Sequence, residues 1–338
     1  MKKVATGILS AIGMFLLIID SKTAIAGGKE GIQLCIQTVI PSLLPFFVIS
    51  GFLCRNLAGI SLPILRPVSR LCGIPAGTES LLLLGFLGGY PVGAQNIQEC
   101  EKLGVLDKNA AKKMLGFCNN AGPAFIFGMA GSLFSGTYVP WALWLIHIAS
   151  AVIVGILLPG RINGNCRPVK ILKDTFLKDV EKSVKTMANV CCWVILFRVV
   201  ISFCKRWFFW LFPVEAQVLL TGIAELANGV VDLTCIPYQG LRFVLCSVML
   251  GFGGTCVAMQ TVSITESLGT GYYFPGKLLQ GFVSFLLSVL IQPILFSTTE
   301  IYTIPIALLV CVMAGIVVIL LILHRNKNNS RIVAPCLI

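Results

Sequence analysis

The chain is short of charge and of histidine. Charged residues occupy 12% of its 338 positions, about half the roughly 25% found in soluble domains. That scarcity excludes an ordinary water-soluble globule. Two histidines leave little material for metal or Ser/His catalysis. The 14 cysteines contain no CxxC pair and no Cys/His zinc spacing. Most lie inside apolar segments, where cysteine behaves as a small apolar residue. GxSxG, HExxH, Walker and dinucleotide fingerprints are also missing. These gaps predict a protein that is not an enzyme, with no metal, no cofactor and no nucleic-acid partner.

What the chain has is apolar length. Apolar residues make up 57% of it, and the mean hydropathy is +0.91. Apolar segments fall at about 4–19, 31–54, 80–97, 115–134, 139–159, 187–204, 208–233, 243–262, 278–296 and 302–324. A bilayer-spanning helix needs roughly 20 apolar residues, so an all-α polytopic membrane protein is expected. Its partners are the lipid bilayer and a small-molecule solute, with a homo-oligomer open. Residues 1–28 read as an N-terminal anchor or signal segment. Lys2 and Lys3 precede its apolar run, and Ala24-x-Ala26 has the form of a signal-peptidase site. A retained anchor is favoured, and in either case the chain emerges outside after it.

The net charge of +12 reads first as a positive-inside bias, with an anionic lipid surface or anionic substrate as the alternative. The loop 161–186 holds Arg161, Arg167, Lys170, Lys173, Lys178, Lys182 and Lys185, and is expected in the cytoplasm. Lys102, Lys108, Lys112 and Lys113 in 98–114 belong on the same side. Counting seven full spans puts the polar tail 326–338 outside, although it carries Lys327 and Arg331. One extra span within 208–233 would reverse it. That segment and 56–78 otherwise read as interfacial.

Two segments stop being spans halfway. "LLLLGFLGGYPVGAQNIQE" (81–99) and "GFGGTCVAMQ" (251–260) carry paired glycines and then polar residues. Both predict re-entrant helical hairpins, at 80–97 and 243–262. A shift of 165 residues, from 88 to 253, aligns them. Ten identities fall within 30 positions, including Gly88, Gly89, Val92 and Gln95 with Gly253, Gly254, Val257 and Gln260. The expected plan is a first repeat over 29–160, with a broken span at 115–134, and a second over 187–325. Three full crossings in each make the second copy inverted. Inverted repeats with interrupted helices are a recurring plan of secondary transporters, with the site near the midplane. Backbone groups freed at a hairpin tip are tolerable only beside protein or a water-filled cavity.

The polar residues of these breaks are the candidate site. Gly88, Gly89, Gly253 and Gly254 form the tips, where Tyr90 and Thr255 could stack on or bond a ring. Gln95 and Gln260 at the hairpin ends can donate and accept, or they cap the hairpins' own backbone. "FCNNAGPAFIFG" (117–128) places Asn119 and Asn120 before a helix-breaking Pro123. These amides are read as solute ligands, with helix–helix bonding as the alternative. The matching second-repeat span offers Ser284, so the site is asymmetric. Glu225 and Asn228 are candidates for a gate or proton site, with Glu225 equally readable as a solvated interfacial residue. His147 reads as a packing residue.

"GGYPVGAQ…E", "FCNNAGPAFIFG", "GFGGTCVAMQ" and "PSLLPFFVISG" (41–51) together resemble the sporulation integral membrane proteins of the YlbJ type, within the wider nucleoside-recognition, or Gate, domain group. The segment order is also similar to the core of concentrative nucleoside transporters. The resemblance implies membrane transport of a small polar metabolite in a spore-forming bacterium, in the cell membrane or a membrane around the forespore. It points to dipicolinate, an aromatic dicarboxylate, or to a nucleoside-like solute. It carries over to Gly88, Gly89, Tyr90, Pro91 and Gly93, to Asn119, Asn120 and Pro123, and to Gly253, Gly254 and Gln260. Gln95 stands where a Lys is expected, which weakens the dicarboxylate assignment. A non-transporting sporulation scaffold and a Gate-like accessory module of another transporter are the alternatives.

Overall fold

The computed structural model describes residues 2–57, 60–160, 176–265 and 268–296. Every regular element among them is a helix. Five helical stretches are long and apolar enough to cross a membrane: Ser21–Leu53, Val139–Leu157, Phe176–Trp207, Gln239–Ile264 and Tyr273–Leu295. The expected span 302–324 and tail 326–338 lie outside the described residues.

Helix α1 (Lys2–Ile19) is followed after Asp20 by α2 (Ser21–Leu34), which passes through a π-turn into α3 (Ile40–Leu57). The Asp20 side chain caps α2 by accepting from Thr23 N at 3.3 Å. The crossing expected at 31–54 therefore starts about ten residues earlier, at Ser21. Ala24 and Ala26 lie within it, and Gly27 packs against Ser202 of α9 (Phe176–Trp207). The division at residues 28 and 29 falls inside a continuous helix. Small residues let two helices approach closely where hydrophobicity cannot drive them together, and Gly27 and Gly31 serve α2 and α9 in that way.

After the short α4 (Arg66–Leu71), α5 (Glu79–Leu87) and α6 (Val92–Lys102) form a hairpin. Its course is fixed by three close approaches to one stretch of chain. Gly85 on α5 and Gly93 on α6 both press on the Cys118 carbonyl, while Gly89 between them meets Gly122. The two arms thus flank residues 118–122, with the tip at Gly89. The mouth of the hairpin is marked by Glu79, which accepts from Gly77 N at 2.8 Å, and by Glu99, which pairs with Lys182 at 2.5 Å.

Helix α7 (Lys108–Leu115) is capped by Asp107 through Asn109 N (2.8 Å) and Ala110 N (3.1 Å). The chain then runs without helix through 116–122, resumes at Pro123 and as a π-helix at Ala124–Ala130, and enters α8 (Val139–Leu157). This break agrees with the expected interruption of 115–134. The end of α8, α7 and the start of α14 (Tyr273–Leu295) meet on one face, through Lys113 Nζ to Gly160 O (2.5 Å) and Tyr272 N to Lys112 O (3.1 Å). On the other face Tyr138 Oη donates to Leu295 O at 3.2 Å, and Arg242 Nη1 to Leu133 O at 2.7 Å. Lys182 with Glu99 brings the start of α9 to the first face. The described part of the second basic stretch, 176–186, therefore shares that face with 98–114, and the positive-inside rule assigns such a face to the cytoplasm.

Past α9, residues 208–233 are neither a span nor a purely interfacial piece. Helices α10 (Val214–Ala224) and α11 (Leu226–Asp232) fold back on each other at Glu225. Gly229 rests on the backbone of Gly222, with no room for a Cβ. Asp232 at the far end of α11 pairs at 2.6 Å with Lys205, in the last turn of α9. This second hairpin enters from the face opposite the first.

The hairpin expected at 243–262 takes a different course. Helix α12 (Gln239–Phe252) starts at Gly240 against Gln292, near the end of α14, and reaches Gly251 against Gln280 and Ser284. After Gly253, α13 (Gly254–Ile264) leads to Tyr272 at the basic face. The segment is a broken crossing. Its paired glycines kink the chain without reversing it, because Gly253 at φ 84° ends α12 in a left-handed cap. The 165-residue match therefore sets a hairpin tip, Gly88–Gly89, against a crossing's break, Gly253–Gly254. The added crossing also carries Leu295 to the face opposite the basic one, reversed from the seven-span count.

Candidate functional site

The two hairpin tips and the two broken crossings converge on a narrow cavity of about 50 Å³, open at one side. The first hairpin contributes Tyr90, and the second Glu225, Leu226 and Ala227. The first break gives Ala121, Gly122 and Phe125, and α13 gives Val257 and Gln260. Val39 and Leu43, with Val190 and Val194 of α9, close the remaining wall with aliphatic surface. A mostly apolar wall with a few convergent polar groups is the usual make-up of a small-molecule site.

Three candidate residues thus meet there: Tyr90, Gln260 and Glu225. Gln260 Nε2 has a Cys256 Sγ contact at 3.3 Å. Glu225 caps α11, its carboxylate accepting from Ala227 N (3.0 Å), Asn228 N (2.7 Å) and Asn228 Nδ2 (2.7 Å). Asn228 Oδ1 in turn accepts from Arg198 Nη1 at 2.9 Å. Arg198 also holds Glu30 Oε2, through Nε at 2.9 Å and Nη2 at 2.5 Å.

The remaining candidates sit around the cavity. Asn119 Oδ1 accepts from Ala94 N at 3.2 Å, and its Nδ2 donates to Thr261 Oγ1 at 2.9 Å. It supplies from outside the capping acceptor that the first turn of α6 lacks. Asn120 Nδ2 donates to Phe117 O (2.7 Å), and its Oδ1 accepts from Lys277 Nζ (3.1 Å) and Gln280 Nε2 (3.0 Å). Both side chains are wholly buried. Gln95 Nε2 reaches Thr186 on α9 at 3.5 Å. Thr255 Oγ1 ties α13 to the second hairpin at Ile223 O (2.9 Å), and Ser284 Oγ donates to Ser150 Oγ (2.9 Å). Gly88 and Gly89 form the first tip. Gly253 lies against the Tyr90 hydroxyl, and Gly254 against Gly222 O and Leu226 N. His147 accepts from Ala121 N at 3.0 Å, which fits its reading as a packing residue.

Sequence reasoning passed over Lys277, which is 1% exposed. Its ammonium bonds Gln280 Oε1 (2.7 Å), Asn120 Oδ1 (3.1 Å) and the Tyr90 hydroxyl (3.3 Å), all neutral. Tyr90 Oη donates onward to Leu250 O at 3.1 Å, satisfying a carbonyl freed at the end of α12. Lysine and glutamine three residues apart in "GKLLQG" (276–281) share a helix face, and that spacing was the available signal. Arg198, isolated in "VILFRVVISF" (194–203), was the other.

No family model matches the chain, and no solved structure matches it. Among curated proteins it is similar to "Sporulation integral membrane protein YlbJ" of Bacillus subtilis (strain 168). The two are 25% identical over 335 residues, covering 83% of this chain and 81% of the relative. The likeness is to a protein of the YlbJ type. With the chain's membrane-length helices, that likeness makes the chain an integral membrane protein. The YlbJ relationship covers most of the chain, as the motif resemblance implied.

Proposed function

We propose that this protein is a secondary-type membrane transporter of a small polar or anionic metabolite. Dipicolinate and nucleoside-like compounds are the candidate solutes, and the link to sporulation comes through its YlbJ relative. The observation that carries the reading is the cavity between the tips of two hairpins entering from opposite faces. Each hairpin is preceded by a full crossing and followed by a broken crossing and another full one. Two halves of that order, inserted in opposite senses, are the plan expected for alternating access around a midplane site. In this pairing α5–α6 corresponds to α10–α11, and 116–134 to 239–264. Similarity to the concentrative nucleoside transporter core and to the Gate group belongs to the same reading.

Tyr90 and Gln260 are the solute contacts in the proposal, with Glu225 as the gate or coupling group beside them, and the protein is not an enzyme. Uptake of radiolabelled dipicolinate and uridine into proteoliposomes tests it. Saturable uptake of either, reduced by Gln260→Ala, is expected. Absence of both uptake and exchange in correctly inserted protein overturns it.

A further inference from the structure

Resting on the transport reading, we propose that Glu225 is the proton-coupling carboxylate, so that solute and proton cross together. A carboxylate in a membrane protein's interior is costly, and by default points to function. Glu225 is 3% exposed and lines the cavity at the second hairpin tip. Its three hydrogen-bond donors, Ala227 N, Asn228 N and Asn228 Nδ2, are neutral. The cation that would fix it as a permanent ion pair is one residue further away. Arg198 stops at Asn228 Oδ1 (2.9 Å) and spends its other nitrogens on Glu30. The groups facing Glu225 from the packed elements are Arg198 of α9, Cys35 of the π-turn, Cys256 of α13 and, across the cavity, Tyr90 of the first hairpin.

The contacts also choose among coupling ions. A sodium ion needs several oxygen ligands, but both Glu225 oxygens are met by N–H groups. A proton needs one lone pair and no further ligand. Asn228 links Glu225 to Arg198, and Arg198 to the half-exposed Glu30. Protonation at the cavity can thus be felt at the α2–α9 contact. It also removes the negative charge that would repel an anionic solute from the same cavity. The proton is taken up from water on one face with the solute and released on the other.

The test uses the full chain in proteoliposomes loaded with a pH-sensitive dye, with dipicolinate and uridine as probes. For the wild type, inward solute flux should acidify the lumen, and an imposed pH gradient should drive accumulation. Glu225→Gln should lose at least about tenfold of that accumulation, and whatever solute flux it keeps should no longer acidify the lumen. Glu215→Gln, on the same hairpin but outside the cavity, should behave as wild type. Solute flux without proton movement in the wild type, or undiminished accumulation in Glu225→Gln, overturns the proposal. If the wild type neither takes up nor exchanges either probe, the transport reading fails instead. Infrared difference spectra of the protein in nanodiscs then decide the proton question alone. A protonated-carboxyl band that responds to pH and vanishes in Glu225→Gln supports the assignment, and no such band refutes it.

Discussion

Asn119 separates two uses of a buried amide, and Asn119→Ala measures which one holds. In the structure both ends of the amide are engaged by protein. Oδ1 accepts from Ala94 N, and Nδ2 donates to Thr261 Oγ1. The substitution leaves the Ala94 N–H without a partner inside a wholly buried region, at about 1–3 kcal/mol. Losing the Thr261 bond removes about another 0.5–1.5 kcal/mol. The space vacated by the amide adds roughly 1 kcal/mol. Thr261 keeps its own donation to Val257 O at 2.9 Å, so no second orphan is created. The total is about 2.5–5.5 kcal/mol.

The readout is thermal unfolding of detergent-solubilised protein with a thiol-reactive fluorogenic dye. Buried free cysteines at 118, 246 and 256 become reactive only on unfolding. A loss of this size should lower the transition by about 5–8 °C for a chain this long. Asn119→Ala that melts within about 2 °C of wild type, yet no longer binds solute, would refute the clamp. Asn119 would then be a solute ligand.

Three further outcomes follow from the same contacts. Lys277→Met orphans Gln280 Oε1 at about 1–3 kcal/mol but removes a charge that costs about 2.5–3.5 kcal/mol within a membrane helix. Its melting should match or slightly exceed that of wild type, and a fall equivalent to more than about 3 kcal/mol would show a tighter ion pair than the neutral partners indicate. Gly253→Ala forces a side chain into φ 84° and sets its Cβ 2.7 Å from the Tyr90 hydroxyl. At least about 1–2 kcal/mol of destabilisation should appear in the same assay, and an unchanged transition would contradict the left-handed cap. Single cysteines placed at Lys108 and Lys178 should react with an impermeant thiol reagent from one membrane face, and those at Tyr138 and Gln217 from the other. Labelling of all four from one face would remove the opposed hairpins.

The spans and the first hairpin were legible because their signals are local. A long apolar run reports a crossing whatever it packs against, and Gly-Gly-Tyr-Pro stops a helix. The second hairpin was not legible. "GIAELANG" (222–229) turns at Glu225, whose side chain caps the helix that follows, and one acidic residue reads as an interfacial helix. The α12–α13 break was seen but given the wrong course. Paired glycines permit both a kink and a reversal, and the choice is made by distant partners, Gln292 at one end and Tyr272 at the other. The amide pair had the same ambiguity. Asn119 and Asn120 announce a buried polar need, but Ala94, Thr261, Lys277 and Gln280 come from separate elements and are invisible to spacing.

Where the hydrogen bonds lie also says where the molecule can move. The first hairpin, the first break, α8, α13 and α14 are pinned together by Asn119, Asn120, Lys277, Gln280 and Ser284. Thr255 adds the second hairpin to that body. The wall made by Val39, Leu43, Val190 and Val194 meets the cavity with aliphatic surface alone. Sliding along such a surface breaks only the few ties of α9 to the hairpins, among them Gln95 with Thr186 and Glu99 with Lys182, whereas separating the pinned elements would orphan several buried polar groups at about 1–3 kcal/mol each. Two polar ties join α9 to the second hairpin, Lys205 to Asp232 at its mouth and Arg198 to Asn228 beside the cavity. The latter tie reaches Glu225 through the same amide. The residue proposed to carry the proton thus sits on the bond that a shift of α9 against the hairpin must break. Coupling would need no longer path than Glu225, Asn228 and Arg198.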